Sequence, residues 1–134
     1  VQVNSVTTVR GRNVVWGDRT LQVKNSLTSG INVRRLLLFI TDAVDRTALE
    51  FVFEQNDKST WSAFQRAVGP FLRGLVDDRA LLDFRVIVDD TNNPSASVDA
   101  GEMHVTVAVK PIGSVQFIPL EFQIASSGAD FSDL

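Results

Sequence analysis

Cysteine and tyrosine are absent from this chain of 134 residues, and histidine and methionine occur once each. Without cysteine there is no disulfide framework, no thiolate nucleophile and no Cys-ligated zinc, and the redox compartment stays open. The single histidine, His104, excludes a metal site built on several imidazoles. The longest apolar run, Leu36 to Ile40, has five residues, far short of the roughly 20 that span a bilayer as a helix. The glycine spacings of a nucleophile elbow, a P-loop and a dinucleotide fingerprint are all missing, and VVWGDRT, the one strand-to-glycine turn, lacks the spacing that lets a phosphate approach the backbone.

What is present suits one globular domain spanning residues 1–134, with 44% hydrophobic and 22% charged residues. A chain of this mass exposes roughly 6,900 Å² when folded against about 21,000 Å² unfolded, enough burial for a core without staples. The net charge of -3 conceals a polarity: residues 1–40 carry six basic groups against Asp18 alone, and residues 41–134 carry seven against fifteen acidic ones. Opposite lobes on one small chain suit head-to-tail contact between identical copies.

Hydrophobic spacing gives an α+β reading, two amphipathic helices packed on a small antiparallel sheet. Residues 1–12 alternate loosely and read as an extended N-terminal arm; 13–21 read as a loop entering a helix. From Ile31 to about Glu50, Val33, Leu36, Leu37, Ile40 and Val44 share one helical face, opposite Arg34, Arg35, Asp42, Asp45 and Arg46, with Asn32 or Gly30 as the cap. Leu38 projects from the charged side, either as an isolated exposed leucine or as a contact with another chain. A second helix runs from about Thr60 to Val76, capped by Ser59 or Asp57, with an apolar face of Trp61, Phe64, Val68, Phe71, Leu72 and Leu75. Pro70 inside it predicts a kink or a break.

Three strands follow, Phe84–Asp89, Met103–Lys110 and Val115–Ile124, the last two joined as a hairpin by the KPIG turn at 110–113. Pro119 makes the third an edge strand or a bulged one. Core packing is expected between Trp61, Phe64, Phe71 and Leu72 and the face made by Phe84, Val86, Val105, Val107 and Val109. The tail 126–134 has no periodicity and reads as a C-terminal arm. An open sheet edge and two arms point to strand addition between subunits, with Val1, Val3, Leu38, Phe117, Leu120, Phe122 and Phe131 as the inter-subunit contacts.

Chemistry has two weak candidates. His104 faces away from the valines, where Glu102, two residues away, can orient it, but no nucleophile accompanies the pair. The loop with Asp89, Asp90, Asn92, Asn93 and Asp99 is rich in oxygen ligands, yet Pro94 interrupts any calcium-loop register and turn chemistry accounts for these residues. A chain with scattered basic residues and no tyrosine offers no stacking platform for nucleic acid. A small α+β ligand-binding or enzymatic domain using the loop 89–102 and His104 is the alternative reading.

Six segments in register, however, resemble the C-terminal portion of the sheath proteins of contractile phage tails, those of T-even-like myophages above all. They are VVWGDRTL (14–21), INVRRLLLFI (31–40), FEQND (53–57) with Trp61 and the Phe71–Leu72 pair, DDTNNP (89–94), VDAGEMHVTVAVKP (98–111) and VQFIPLEFQIASSGADFSDL (115–134). The resemblance implies a structural, non-enzymatic virion protein without cofactors. It implies hexameric rings of identical subunits stacked helically around an inner tube, bounded by baseplate and terminator proteins, assembled in the host cytoplasm, and contracting to drive the tube through a cell envelope. Neither direct nucleic-acid binding nor membrane insertion is implied. Such sheaths are several times longer, so the chain reads as a fragment or a minimal member. The resemblance implies that a basic helical surface meets an acidic tube, and Arg66 and Arg73, one face of the second helix, with Arg79 just beyond it, are the stripe expected to do so, as the one basic helical surface not interleaved with carboxylates. Arg34 and Arg35 are the competing choice, but Asp42 and Asp45 lie on their face.

Overall fold

The computed structural model describes residues 3–24, 26–116 and 118–120. Strands β1 (Ser5–Val9) and β2 (Arg12–Trp16) are followed by a short 3-10 turn at Leu27–Ser29 and by helix α1 (Ile31–Leu49). Helix α2 (Lys58–Asp77), strand β3 (Leu81–Ile87), the five-residue helix α3 (Ser95–Asp99) and strand β4 (Thr106–Pro111) complete the described elements. The architecture is α+β, with two separate two-stranded antiparallel sheets, β1–β2 and β3–β4.

The core is one stripe of α2 laid on one face of β3–β4. Trp61, Phe64, Val68 and Leu72, spaced by three and four residues, are buried together with Ile40 of α1, Leu81 of β3 and Val88 beyond it. Phe84, Val86, Met103, Val105, Val107 and Val109 supply the half-buried floor. Leu81 and Phe84 are three apart, which would place them on opposite faces of a regular strand. The register slips between Leu81 and Asp83, so Leu82 is extruded to solvent and both Leu81 and Phe84 point inward. Phe51 closes the far end edge-on to Phe64, ring centroids 5.3 Å apart. Phe71, half-buried against the core, also meets α1, its ring 5.7 Å from that of Phe39, which places it at the helix–helix seam.

Helix α2 begins where Asp57 Oδ1 accepts the Thr60 N–H at 2.8 Å. That bond, with further hydroxyl and amide donors, holds the Asp57 carboxyl below its ordinary value. A carboxyl depressed in the folded state contributes stability above its unfolded pKa, and the contribution is lost as pH falls through the lower folded value. Helix α1 is capped from a distance: Asp18 accepts the Ile31 N–H with its carbonyl at 3.3 Å and the Asn32 N–H with its carboxylate at 3.2 Å. Asp18 stands in a loop held by Asn4, whose amide donates to the Arg19 carbonyl at 2.8 Å and accepts from its N–H at 2.9 Å. A Cβ at Gly17, where φ is +157°, would collide with the Asn4 side chain, so the W-G-D-R segment requires its glycine.

Several expectations are corrected. Residues 5–9 are not a lone arm but pair with residues 12–16, Val9 opposite Arg12, across an Arg10–Gly11 turn. Both turn residues have positive φ, as a two-residue hairpin demands. Pro70 neither ends nor interrupts α2: it lies on the exposed side, so the Arg66 carbonyl it leaves unbonded faces water. The KPIG turn does not form, because Lys110 and Pro111 are the last residues of β4, opposite Asp83 and Leu81. Residues 115, 116 and 118–120 are outside any strand, while Phe117 and residues 121–124 of that expected strand lie outside the described residues, as does the tail 126–134.

Phe64→Ala removes the largest fully buried side chain and is expected to cost about 3–5 kcal/mol in urea unfolding. Phe71→Ala, at the half-exposed seam, is expected to cost less than half as much; equal losses would contradict this division of the core.

Candidate functional site

Two-stranded sheets leave two edges each, and here the edges differ. Antiparallel residues alternate between bonding the partner strand and facing outward. On β3 the outward set is Phe84 and Val86, continued by Val88 just past its end, and side chains already reach it. Asp83 Oδ1 accepts the Phe84 N–H at 2.8 Å, and the Gln65 amide lies 3.5 Å from the carbonyls of Val86 and Val88. On β4 the outward groups are those of Val107 and Val109, and no hydrogen bond from another described element is made to them. Among the described residues no further strand joins the β1–β2 hairpin, and Val6, Val15 and Trp16 are all more than 60% exposed. An isolated two-stranded hairpin is marginal in water.

The acidic loop is structural. Asn93, 2% exposed, donates from Nδ2 to the His104 carbonyl at 2.9 Å and accepts the His104 N–H at 2.6 Å. Asn92 donates to the carbonyls of Ile87 at 2.8 Å and His104 at 3.0 Å. The two amides replace the β3–β4 ladder where the strands separate. Asp89 accepts from the Thr91 hydroxyl and the Thr91 N–H, which holds its carboxyl below the ordinary value. No group of three or more acidic, histidine or cysteine side chains among the described residues could hold a metal ion. His104 Nε2 lies 3.1 Å from Glu102 Oε2, with both side chains more than half exposed; the orienting contact forms on an open surface with no nucleophile beside it.

Residues 23–125 match the model of the phage tail sheath C-terminal domain family. The chain belongs to that family. It is 36% identical over its whole length to the tail sheath protein of Vibrio phage KVP40 and 32% identical over 98% of it to that of Enterobacteria phage T4, and it spans about a fifth (20%) of each. Among solved structures, a chain of the anti-feeding prophage (AFP) baseplate, at 26% identity, superposes with a TM-score of 0.84 over 92% of this chain and 37% of its own. A chain of the PVC sheath complex of an extracellular contractile injection system, in the contracted state, gives 0.80 at 25% identity over 94% of this chain and 36% of its own.

In this sheath domain the expected contact residues are scattered. Val3, 74% exposed, precedes β1; Leu38, 54% exposed, sits on α1; Leu120, 75% exposed, lies in the segment after β4. Val1, Phe117, Phe122 and Phe131 fall outside the described residues. Arg66 and Arg73 are exposed on α2, and among the described residues neither has an ion-pair partner. Arg73 nevertheless shares a groove with Asp77 and Asp83 as well as Arg85, so its end of the stripe is interleaved with carboxylates, contrary to expectation.

Arg79 has a backbone role. It occupies the left-handed position after α2, φ +60°, where its N–H donates to Val76 and that of Ala80 to Leu75, both at 2.9 Å. This is the Schellman ending, usually built on glycine. Sequence gives little sign of this ending, because an arginine stands at its left-handed position, and little of the hairpin, whose turn pairs Gly11 with Arg10. Arg79→Gly is expected to raise stability by about 1 kcal/mol, measured by thermal unfolding; a loss would show that the guanidinium holds the fold.

Proposed function

We propose that this chain is the lattice-forming, non-catalytic domain of a sheath subunit, which polymerises around an inner tube and contracts to drive it through a host envelope. The observation that supports the reading best is the strand edge without a hydrogen-bond partner and the exposed apolar side chains that the described residues present beside a packed core. Backbone bonds of about 0.5–1.5 kcal/mol net each are weak singly and cumulative along a strand. Arms of neighbouring subunits joined to the domain in this way can remain attached while subunits rotate and slide. The open edge of β4 is the first acceptor, since a strand joining β3 must displace Asp83 and Gln65. Partners in this reading are other sheath subunits, the tube, and the baseplate and terminator proteins that bound the stack, in the virion and, during assembly, in host cytoplasm.

Val107→Pro deletes one outward N–H of β4 and spares the bonds to β3. It is expected to leave helical circular dichroism unchanged and to abolish rods in negative stain. Ala108→Pro, which removes an inward bond, is expected to lose the fold as well. Rods of normal length from Val107→Pro would exclude β4 as the acceptor.

For the tube, Arg66 and Arg73 are the proposed contact, with Arg66 the stronger because Asp77 and Asp83 offset Arg73. Arg66→Glu with Arg73→Glu is expected to give folded protein that forms empty contracted tubes but no extended sheath around a tube. Extended tails from that double variant would exclude the surface.

A further inference from the structure

The α1–α2 connection ends in a strained and fully exposed aromatic. Phe53 has φ +72° and a relative exposure of 103%, above that of any other large apolar side chain described. Its turn is closed by the Glu54 N–H donating to the Phe51 carbonyl at 3.2 Å. A left-handed backbone is disfavoured for any residue with a Cβ and most for bulky ones. Glycine or asparagine would make the same turn without that conflict. Within the described residues nothing repays the strain: the aromatic contacts are Phe39 with Phe71 and Phe51 with Phe64. Backbone strain of this kind persists where it serves a contact or a function. Val52, 53% exposed, precedes Phe53 in the chain, and Glu50 and Glu54 stand within three residues of it.

A complementary surface lies at the other end of α1, whose 19 residues extend for about 28 Å. The β1–β2 hairpin carries a groove of about 560 Å³ lined by Val9, Arg10, Arg12, Val14, Val15 and Trp16, with no carboxylate among them. The register places Val9, Arg12, Val14 and Trp16 on one face. Apolar ring meets apolar groove, and two carboxylates meet two guanidiniums, which also favour an aromatic face.

We propose that Phe53 of one copy seats in the hairpin groove of the next, with Glu50 and Glu54 against Arg10 and Arg12. The partner, a second copy of this chain, rests on the sheath reading. Because knob and groove are different surfaces, the contact is heterologous and repeats into an open array unless its rotation closes a ring.

The native chain has no cysteine, so engineered thiols report only on themselves. The full chain is prepared as two single variants, Glu54→Cys and Arg12→Cys, which are mixed and oxidised. The expected product is the mixed disulfide dimer in excess over either homodimer, and the double variant is expected to give a ladder. No excess of the mixed dimer overturns the contact. Phe53→Gly is expected to melt at the same or a higher temperature and to reduce sedimentable rods at least tenfold; unchanged rod yield overturns the proposal. Glu54→Arg with Arg12→Glu is expected to restore the assembly that each change alone removes, and failure of that rescue counts against the charge pairing. If wild-type protein forms no rods, the reading that this chain polymerises by itself fails, and the cross-link still decides whether the copies meet head to tail.

Discussion

A single helical stripe covers a single face of a two-stranded sheet, and most of the molecule follows from that constraint. Trp61, Phe64, Val68 and Leu72 can shield only the side of β3 and β4 that carries Phe84, Val86, Val107 and Val109. Helix α1 completes the layer through Ile40 and its half-buried neighbours. Among the described residues no third layer remains for the opposite face of β3–β4 or for either face of the hairpin. Two strands also have two edges, where a larger sheet would have the same two for many more residues. Exposure of strand edge and apolar side chain is therefore built into the element count.

Where one face is buried and the other wet, the residues state the structure openly. The apolar face of α1, the start of α2 at Asp57, the inward valines of β4 and the outward His104–Glu102 pair could all be read from spacing, because burial and periodicity coincide there. The hairpin could not, since Val6, Val14, Val15 and Trp16 fall on both of its faces and no core selects between them. Its turn is Arg-Gly, outside the Asn-Gly and Asp-Gly pairs that mark such hairpins. Left-handed residues other than glycine stand at Arg10, Phe53 and Arg79, so the punctuation that ordinarily locates turns was missing at three corners. An edge strand is expected around Pro119, most of which lies outside the described residues; among the described residues the edge without a hydrogen-bond partner is that of β4.

Side-chain amides do much of the work that a longer ladder would otherwise do. Asn92 and Asn93 bridge β3 and β4 beyond their last pair. Asn56 accepts the Trp61 indole N–H at 2.8 Å and donates to the Glu102 carbonyl at 2.9 Å, tying the start of α2 to the approach to β4. Asn4 fixes the loop that caps α1. Each is local in space but distant in sequence, which is why a loop rich in Asp and Asn resembles a cation site until the partners are known. Once bonded to backbone, these groups have little capacity left for a ligand.

Edges and faces contribute differently to an assembly. Backbone pairing at an edge is strong in sum and directional, yet nearly blind to side-chain identity, so by itself it would admit any extended segment. Selectivity has to come from side chains outside the ladder. The charge polarity of the chain, basic before residue 40 and acidic after it, repels like ends and attracts unlike ones, and so favours one orientation of neighbouring copies over its reverse. Exposed charges are worth little singly, and salt screens them over about a nanometre. A lattice held by backbone edges and oriented by weak charged faces can therefore rearrange its faces without losing its edges, the property that a sheath must have if its subunits are to move past one another and stay joined.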